Sequence, residues 1–373
     1  MLMRKICTLV LVLGLSACSI NISQPPVPTL SSEVIPASPL GEGPDGAAPV
    51  VESTVIPIIW SGLNLTGRLV YISATTGDDL VSKVQVLDLA TGEIRTIFTT
   101  TDKGWIFYMT ISPDAKHLVM SYIPPAQDNV ISGRILYIMP LDGTAQPQPL
   151  FSPPSPDDRY TQAEWSPDGK YIYFVHYNAN DKPDAWLNLP YHLFRMAYPD
   201  GQPEKLADLA FWPRVSSDST KLAYISIDPE SGRNDLYVAN SDGSNPQLVA
   251  FSGSGVPEIV DAPIFSPDGQ TMLFSAPPPG QAYQQNWFEK LAGIQIAKAH
   301  SVPSDWWSVP ISGGVPTQLT NIQTINLFAS ISPDKKHVAS VSGNGLFVMN
   351  LDGSNLTQLI SDPGVHGTVS WIP

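Results

Sequence analysis

Short runs of alternating apolar and polar residues, each broken by Gly, Pro or Asp, fill most of this chain. Period-two patterning with that punctuation is what short half-buried β-strands require. One stretch shows the unit clearly. Ala163-Glu164-Trp165 reads as a strand, Pro167-Asp168-Gly169 as a tight turn, and Tyr171 to Val175 as a second strand. His192-Leu193-Phe194-Arg195-Met196 makes the third, Pro199-Asp200-Gly201 turns the chain again, and Glu204 to Ala207 makes the fourth.

The unit recurs. Ser112-Pro113-Asp114, Ser166-Pro167-Asp168-Gly169, Ser266-Pro267-Asp268-Gly269 and Ser332-Pro333-Asp334 mark four copies, and Ser216-Ser217-Asp218 a degenerate one. Third strands follow at Ile135 to Met139, Leu236 to Ala239, Trp306 to Pro310 and Leu346 to Met349. Asp-Gly turns come next at Asp142-Gly143, Asp242-Gly243 and Asp352-Gly353, with Gly313-Gly314 once in their place. A four-stranded unit cannot bury both faces alone, so the copies must stack. Radial stacking leaves only short outer edges, and the expectation is all-β: a six-bladed β-propeller of four-stranded blades. The sixth unit starts mid-motif, at Gly67-Arg68-Leu69-Val70-Tyr71-Ile72, and continues through Val84 to Asp88 and Glu93 to Phe98. Val369-Ser370-Trp371-Ile372-Pro373 reads as its missing inner strand, so the C-terminal strand should close the ring on the first blade. Ile58-Ile59-Trp60-Ser61 is the competing candidate for that place.

Trp165-Ser166-Pro167-Asp168-Gly169-Lys170 and Phe347-Val348-Met349-Asn350-Leu351-Asp352-Gly353 resemble the repeat of the TolB-type, WD-repeat-like propellers of bacteria. The resemblance covers nearly everything from Gly67 onward. It implies the fold and says little of activity, because propellers host many unrelated functions. TolB itself has an additional N-terminal α/β domain where this chain shows a linker-like stretch.

Near the N-terminus, Arg4 and Lys5 precede an apolar run from Ile6 to Leu15 that is too short to span a bilayer. It ends in Leu15-Ser16-Ala17-Cys18, which resembles the lipobox of bacterial lipoproteins. That resemblance implies a signal peptide over residues 1–17, cleavage before Cys18 and lipidation of Cys18. Acyl chains there would hold the protein on a membrane, at about 0.8 kcal/mol per buried methylene. The other cysteine, Cys7, lies inside the signal, so no disulfide is expected after processing. Residues 18–57 are rich in Pro, Ser and Gly, and no Lys or Arg falls between Ser19 and Val55. They read as the lipidated cysteine and a disordered tether, leaving 58–373 for the propeller. The expected location is the bacterial cell envelope, lipid-anchored and outside the cytoplasm.

Composition narrows the partners. The formal charge is −14, and losing Arg4 and Lys5 with the signal makes the remainder more acidic still. Such a surface repels polyanions, so no nucleic-acid partner is expected. The recurring Asp before Gly is the residue type that bonds its own downstream amides in a tight turn, which assigns it to architecture. The six histidines show no ligand spacing, and neither a metal nor another cofactor is expected. No Gly-x-Ser-x-Gly elbow occurs, since Ser252-Gly253-Ser254-Gly255 has another arrangement, and no catalytic residue is assigned. The inner strands at Met109-Thr110-Ile111, Pro263-Ile264-Phe265 and Ala329-Ser330-Ile331 are largely apolar, with Glu164 the exception. A propeller lyase or hydrolase with a central-channel site is the second reading.

Length is spent unevenly between strands. Second-to-third-strand loops at Ile123 to Gly133, at Tyr177 to Tyr191 and over 276–305 should all emerge on one face. The largest carries Tyr283, Trp287, Phe288, Leu291 and Ile294 at near-helical spacing. With Trp186, Trp212 and Trp306, the aromatics Tyr283, Trp287 and Phe288 form the candidate ligand-binding face, because loops on a rigid scaffold are where binding sits. The expected function is non-catalytic binding of an envelope protein or glycan by a membrane-tethered propeller.

Overall fold

The computed structural model describes residues 52–75, 81–101, 104–125, 133–181, 191–228, 234–250, 260–278 and 302–373. The first sheet begins with β1 (Glu52–Val55), β2 (Arg68–Ala74), β3 (Ser82–Asp88) and β4 (Glu93–Thr99). Blade two is β5 (Trp105–Ile111), β6 (His117–Ile123), β7 (Ile135–Pro140) and β8 (Gln148–Pro149). Blade three is β9 (Asp158–Trp165), β10 (Tyr171–Asn178), β11 (His192–Ala197) and β12 (Glu204–Asp208). Blade four is β13 (Ala210–Val215), β14 (Lys221–Ile227), β15 (Asn234–Asn240) and β16 (Gln247–Ala250). Blade five is β17 (Asp261–Phe265), β18 (Thr271–Ala276), β19 (Asp305–Pro310) and β20 (Thr317–Gln318). Blade six is β21 (Phe328–Ile331), β22 (His337–Ser342), β23 (Gly345–Asn350) and β24 (Thr357–Ser361), and β25 (Val365–Ile372) ends the chain. Every blade is an antiparallel meander, and the protein is a six-bladed β-propeller.

The ring closes through its C-terminus. Strand β25 pairs antiparallel with β2, setting Leu69 opposite Trp371 and Val70 opposite Ser370. Trp371 Nε1 donates to the Thr66 carbonyl at 2.9 Å, and Arg68 Nη2 donates to the Pro373 carbonyl at 3.0 Å. The competing segment does something else. Trp60 is buried, its indole donates to the Leu89 carbonyl at 2.9 Å, and a 3-10 turn over Ser61–Leu63 carries the chain past the blade. The tether expected over residues 18–57 ends earlier, since β1 pairs with β4, Glu52 opposite Thr96 and Val55 opposite Glu93. The cause is an open outer edge: β4 presents unpaired amides and carbonyls, and Ser53-Thr54-Val55 is a segment able to satisfy them.

The recurring Ser and Asp build one turn six residues long at its widest hydrogen bond. In blade two the Ser112 hydroxyl donates to Asp114 Oδ1 at 2.6 Å, the Lys116 amide donates to the same oxygen at 3.1 Å, and the His117 amide donates to Ser112 Oγ at 2.9 Å. Ser166 and Asp168, Ser216 and Asp218, Ser266 and Asp268, and Ser332 and Asp334 repeat the hydroxyl-to-carboxylate bond. The degenerate Ser216-Ser217-Asp218 copy thus keeps the geometry without its proline. These turns end the inner strands, so the inner strands start on the opposite face, where the second-to-third-strand loops also emerge. Between blades, aliphatic and aromatic side chains form the buried wedges, from Val70, Ile72 and Met120 to Ile264, Leu273 and Met349.

Candidate functional site

The innermost strands pack in the cyclic order β25, β5, β9, β13, β17, β21 around the axis. Counting back four residues from each motif serine gives Tyr108, Gln162, Trp212, Ala262 and Phe328. The aromatic members come from alternate blades, two, four and six, and their rings meet. Tyr108 and Trp212 are edge-to-face at 4.9 Å, Tyr108 and Phe328 at 5.8 Å, and Trp212 and Phe328 lie tilted at 4.8 Å. Residues a third of a turn apart can touch only on the axis, so this triad fills the channel at its level. Local backbone helps. Bulges interrupt β9, β13 and β17 here, and Gln162, Trp212 and Ala262 take φ values of 52°, 54° and 43°. A non-glycine residue holds that left-handed conformation only where surrounding contacts enforce it.

Polar side chains around the triad join neighbouring blades. The Met109 amide donates to Thr368 Oγ1 at 2.8 Å, whose hydroxyl donates back to the Met109 carbonyl at 2.6 Å. The Trp212 amide donates to Gln162 Oε1 at 2.9 Å, the Trp165 amide to Thr110 Oγ1 at 3.3 Å, and the Trp371 amide to Ser330 Oγ at 3.0 Å. Glu164, the acid that stood out in the inner strands, accepts from Arg214 Nη1 at 2.6 Å across the joint between blades three and four. Burial pushes the Glu164 carboxyl above the usual carboxylate range, and the Arg214 charge and hydrogen bond pull it back. Its carboxylate is thus engaged in an ion pair with Arg214.

The mouth on the loop face is different in character. Trp105 and Phe107 of β5 stand edge-to-face at 6.5 Å, and Trp105 stacks on His366 of β25 at 4.8 Å. The two His366 ring nitrogens lie 2.9 Å from the Gly364 carbonyl and 3.0 Å from the Ile106 carbonyl. On the other side Tyr177 meets Tyr191 at 5.1 Å, and Tyr191 leans on Phe211 at 6.2 Å. Between them sits Arg134, its guanidinium 4.3 Å from the Phe107 ring centre and 5.7 Å from that of Tyr177. The Arg134 Nη2 donates to the Tyr177 hydroxyl at 2.5 Å. Burial holds the Tyr108 phenol, just below, far above its ordinary value, with the Arg134 charge acting against the shift and Asp261 with it. These aromatics, half-buried except for the buried Phe211, form an arc from β25 across blades two, three and four.

The candidates read from sequence divide by location. Trp306 is wholly buried in the wedge between blades five and six, with Leu273 and Val338. Trp212 is 2% exposed and belongs to the axial triad, so neither indole is presented on the loop face. A β-strand alternates its faces, and both tryptophans fall on inward positions. Cys18, Trp186, Tyr283, Trp287 and Phe288 lie outside the described residues. Among the described residues no three His, Cys, Asp or Glu side chains gather as a metal site. Sequence reading missed Trp105, Phe107, Arg134, Tyr177 and Tyr191. Each flanks a loop or starts an inner strand, and strand ends on the loop face were the available signal.

No protein-family model matches the chain. Among solved structures, TolB from Acinetobacter baumannii is similar over 82% of this chain and 67% of that one, with a TM-score of 0.58 at 18% identity. A protein assigned as TolB from Agrobacterium tumefaciens is similar over 83% of this chain and all of that one, with a TM-score of 0.54 at 17% identity. The nidogen–laminin complex is similar over 81% of this chain and 98% of the matched chain, with a TM-score of 0.54 at 12% identity. At such identities the likeness establishes the architecture, a TolB-like six-bladed propeller, and leaves activity to the chemistry of this chain's own surface.

Proposed function

We propose that this chain is a lipid-anchored, extracytoplasmic propeller that binds an envelope protein or glycan through its loop face and does not transform it. The observation that carries the reading is the contrast along the axis. The interior is filled by Tyr108, Trp212 and Phe328, whereas the mouth above holds half-buried aromatics around Arg134. Aromatic side chains and Arg are the types that dominate binding at protein surfaces. The lipid anchor rests on the Leu15-Ser16-Ala17-Cys18 sequence.

The test uses the full chain, solubilised in detergent and immobilised, against solubilised envelope proteins and purified cell-wall glycans. A Tyr177→Ser/Tyr191→Ser variant with unchanged cooperative melting runs alongside. Retention of one component by the native face and its loss in the variant supports the reading; retention indifferent to the change places the site elsewhere. Separately, Cys18→Ser should leave the signal uncleaved and abolish acylated N-terminal peptides in mass spectra. An acylated product from the variant would refute the anchor.

A further inference from the structure

Of the six described arginines, two form ion pairs with carboxylates. Arg195 pairs with Glu204 at 3.0 Å and Arg214 with Glu164 at 2.6 Å. At the channel mouth, Arg134 and Arg159 make no ion pair with any described carboxylate, in a chain whose charge is −14. Arg159 Nη1 instead donates to the carbonyls of Pro156 at 2.8 Å and Asp158 at 3.0 Å. The two guanidinium-bearing residues are neighbours across strands, since the Tyr160 amide bonds the Arg134 carbonyl at 2.9 Å. Gly133 makes room for this arrangement, because a Cβ there would lie 2.5 Å from Arg159 Nη1.

Arg134 is also held in place. Its side chain rests on Phe107, one nitrogen is engaged by the Tyr177 hydroxyl, and Nε is shielded from solvent without a hydrogen-bond partner among the described residues. A half-buried guanidinium with no described counter-ion is stabilised by a negative group that reaches its terminal nitrogens. A planar, pre-oriented guanidinium matches a carboxylate in particular, through two parallel hydrogen bonds.

We propose that Arg134 is the receptor for a carboxylate of a protein partner, an Asp or Glu side chain or a chain terminus, entering the mouth beside Phe107 and Tyr177. The reading of the loop face as a binding surface underlies this. A peptide is favoured over an acidic sugar because each ring already has a neighbour on one face or edge. Trp105 is covered by His366, Phe107 by Arg134, and Tyr177 meets Tyr191 edge-on. A sugar ring needs an open aromatic face to stack on; a side-chain carboxylate needs only the guanidinium fork.

The full chain, labelled with nitrogen-15 on arginine and tryptophan, is titrated with acetyl-Phe-Glu-amide, acetyl-Phe-Gln-amide and glucuronate, each followed at the Arg134 Nε–H and Trp105 indole resonances. A saturable shift with the Glu peptide, at least tenfold weaker binding of the Gln peptide, and loss of that preference in Arg134→Met establish the proposal. Arg134→Lys should restore part of the preference. Equal response to both peptides overturns the carboxylate role while leaving the face a binding surface. Glucuronate binding without peptide binding overturns the partner class. No saturable response from either peptide overturns the proposal, and the capture experiment with Tyr177→Ser/Tyr191→Ser then decides independently whether the face binds anything.

Discussion

The Trp212 indole and the Phe328 ring meet tilted on the propeller axis, their centres 4.8 Å apart, though they come from blades four and six. Neither touches its counterpart through any strand pairing. Tyr108 from blade two completes the contact, so an aromatic cluster fills the axis at that level. Its members hold blades together that share no hydrogen-bonded edge.

Truncating that core should be costly. Trp212→Ala is expected to lower unfolding free energy by about 3–5 kcal/mol, the usual range for deleting a buried aromatic. Urea denaturation measures it, with Leu248→Ala, which removes a partly exposed side chain, as the mild control. A Trp212→Ala cost below about 1 kcal/mol would mean that the triad does not bear on stability.

The Glu164–Arg214 pair is partly screened, its side chains being 20% and 12% exposed. Breaking it with Arg214→Met should cost about 1–3 kcal/mol, between the surface and buried ranges, and Glu164→Met added to that change should recover part of the loss. A double-mutant cycle by thermal melting reads the coupling. Additive single losses would sink the pairing as a stabilising contact.

Acid should weaken the fold through its turns. Ser112 and Ser266 hydroxyls, followed by backbone amides, hold the Asp114 and Asp268 carboxyls below their usual value. A carboxyl depressed in the folded state contributes stability fully present above its unfolded value, about 3.9 for Asp, and lost as pH falls through the folded value. Glu164 has the opposite sign. Its folded value is raised, so its contribution declines as pH rises from about 4.3 through that folded value. Melting temperature should fall below about pH 4, and less steeply in Asp268→Asn, whose remaining loss comes from the other turns. A slope unchanged by Asp268→Asn would contradict the turn assignment.

Gly367 sits in β25 with φ of 67°, and a Cβ there would fall on the Phe107 carbonyl of blade two. Gly367→Ala should therefore cost about 1–3 kcal/mol or more, from left-handed backbone and a contact that cannot relax. Chemical denaturation would show it. The same change at Gly62, where nothing lies within 4 Å and φ is not left-handed, should be nearly silent.

Removing residues 365–373 deletes the strand that pairs with β2. The shortened chain is expected to lose cooperative unfolding in calorimetry, because blade one then lacks its inner strand and the ring has a gap. A single sharp transition near the native temperature would show that closure is dispensable.

Much of the architecture was legible because it repeats. Ser-Pro-Asp before an apolar run states where each inner strand stops, and Val369 to Pro373 is readable as the missing piece of the unit begun at Gly67. The start of the ring was less so: Glu52–Val55 looks like the end of a tether until β4 offers it an edge. The aromatic mouth was the hardest part. Trp212 and Trp306 attract attention as aromatics near loops, but alternation along a strand turns them inward, and register decides which wall they meet.

Local patterning alone therefore determined the strands, the turns and the number of blades, since each depends on residues close in sequence. Only the closed ring decided which side chains converge. Tyr108, Trp212 and Phe328 occupy equivalent registers in alternate blades, a fact readable from the motif, but their contact requires six blades of one radius meeting around a common axis. Arg134 likewise has no special signature in the chain. It becomes a candidate receptor because curvature brings Phe107 beneath it and Tyr177 beside it, with no described carboxylate in reach.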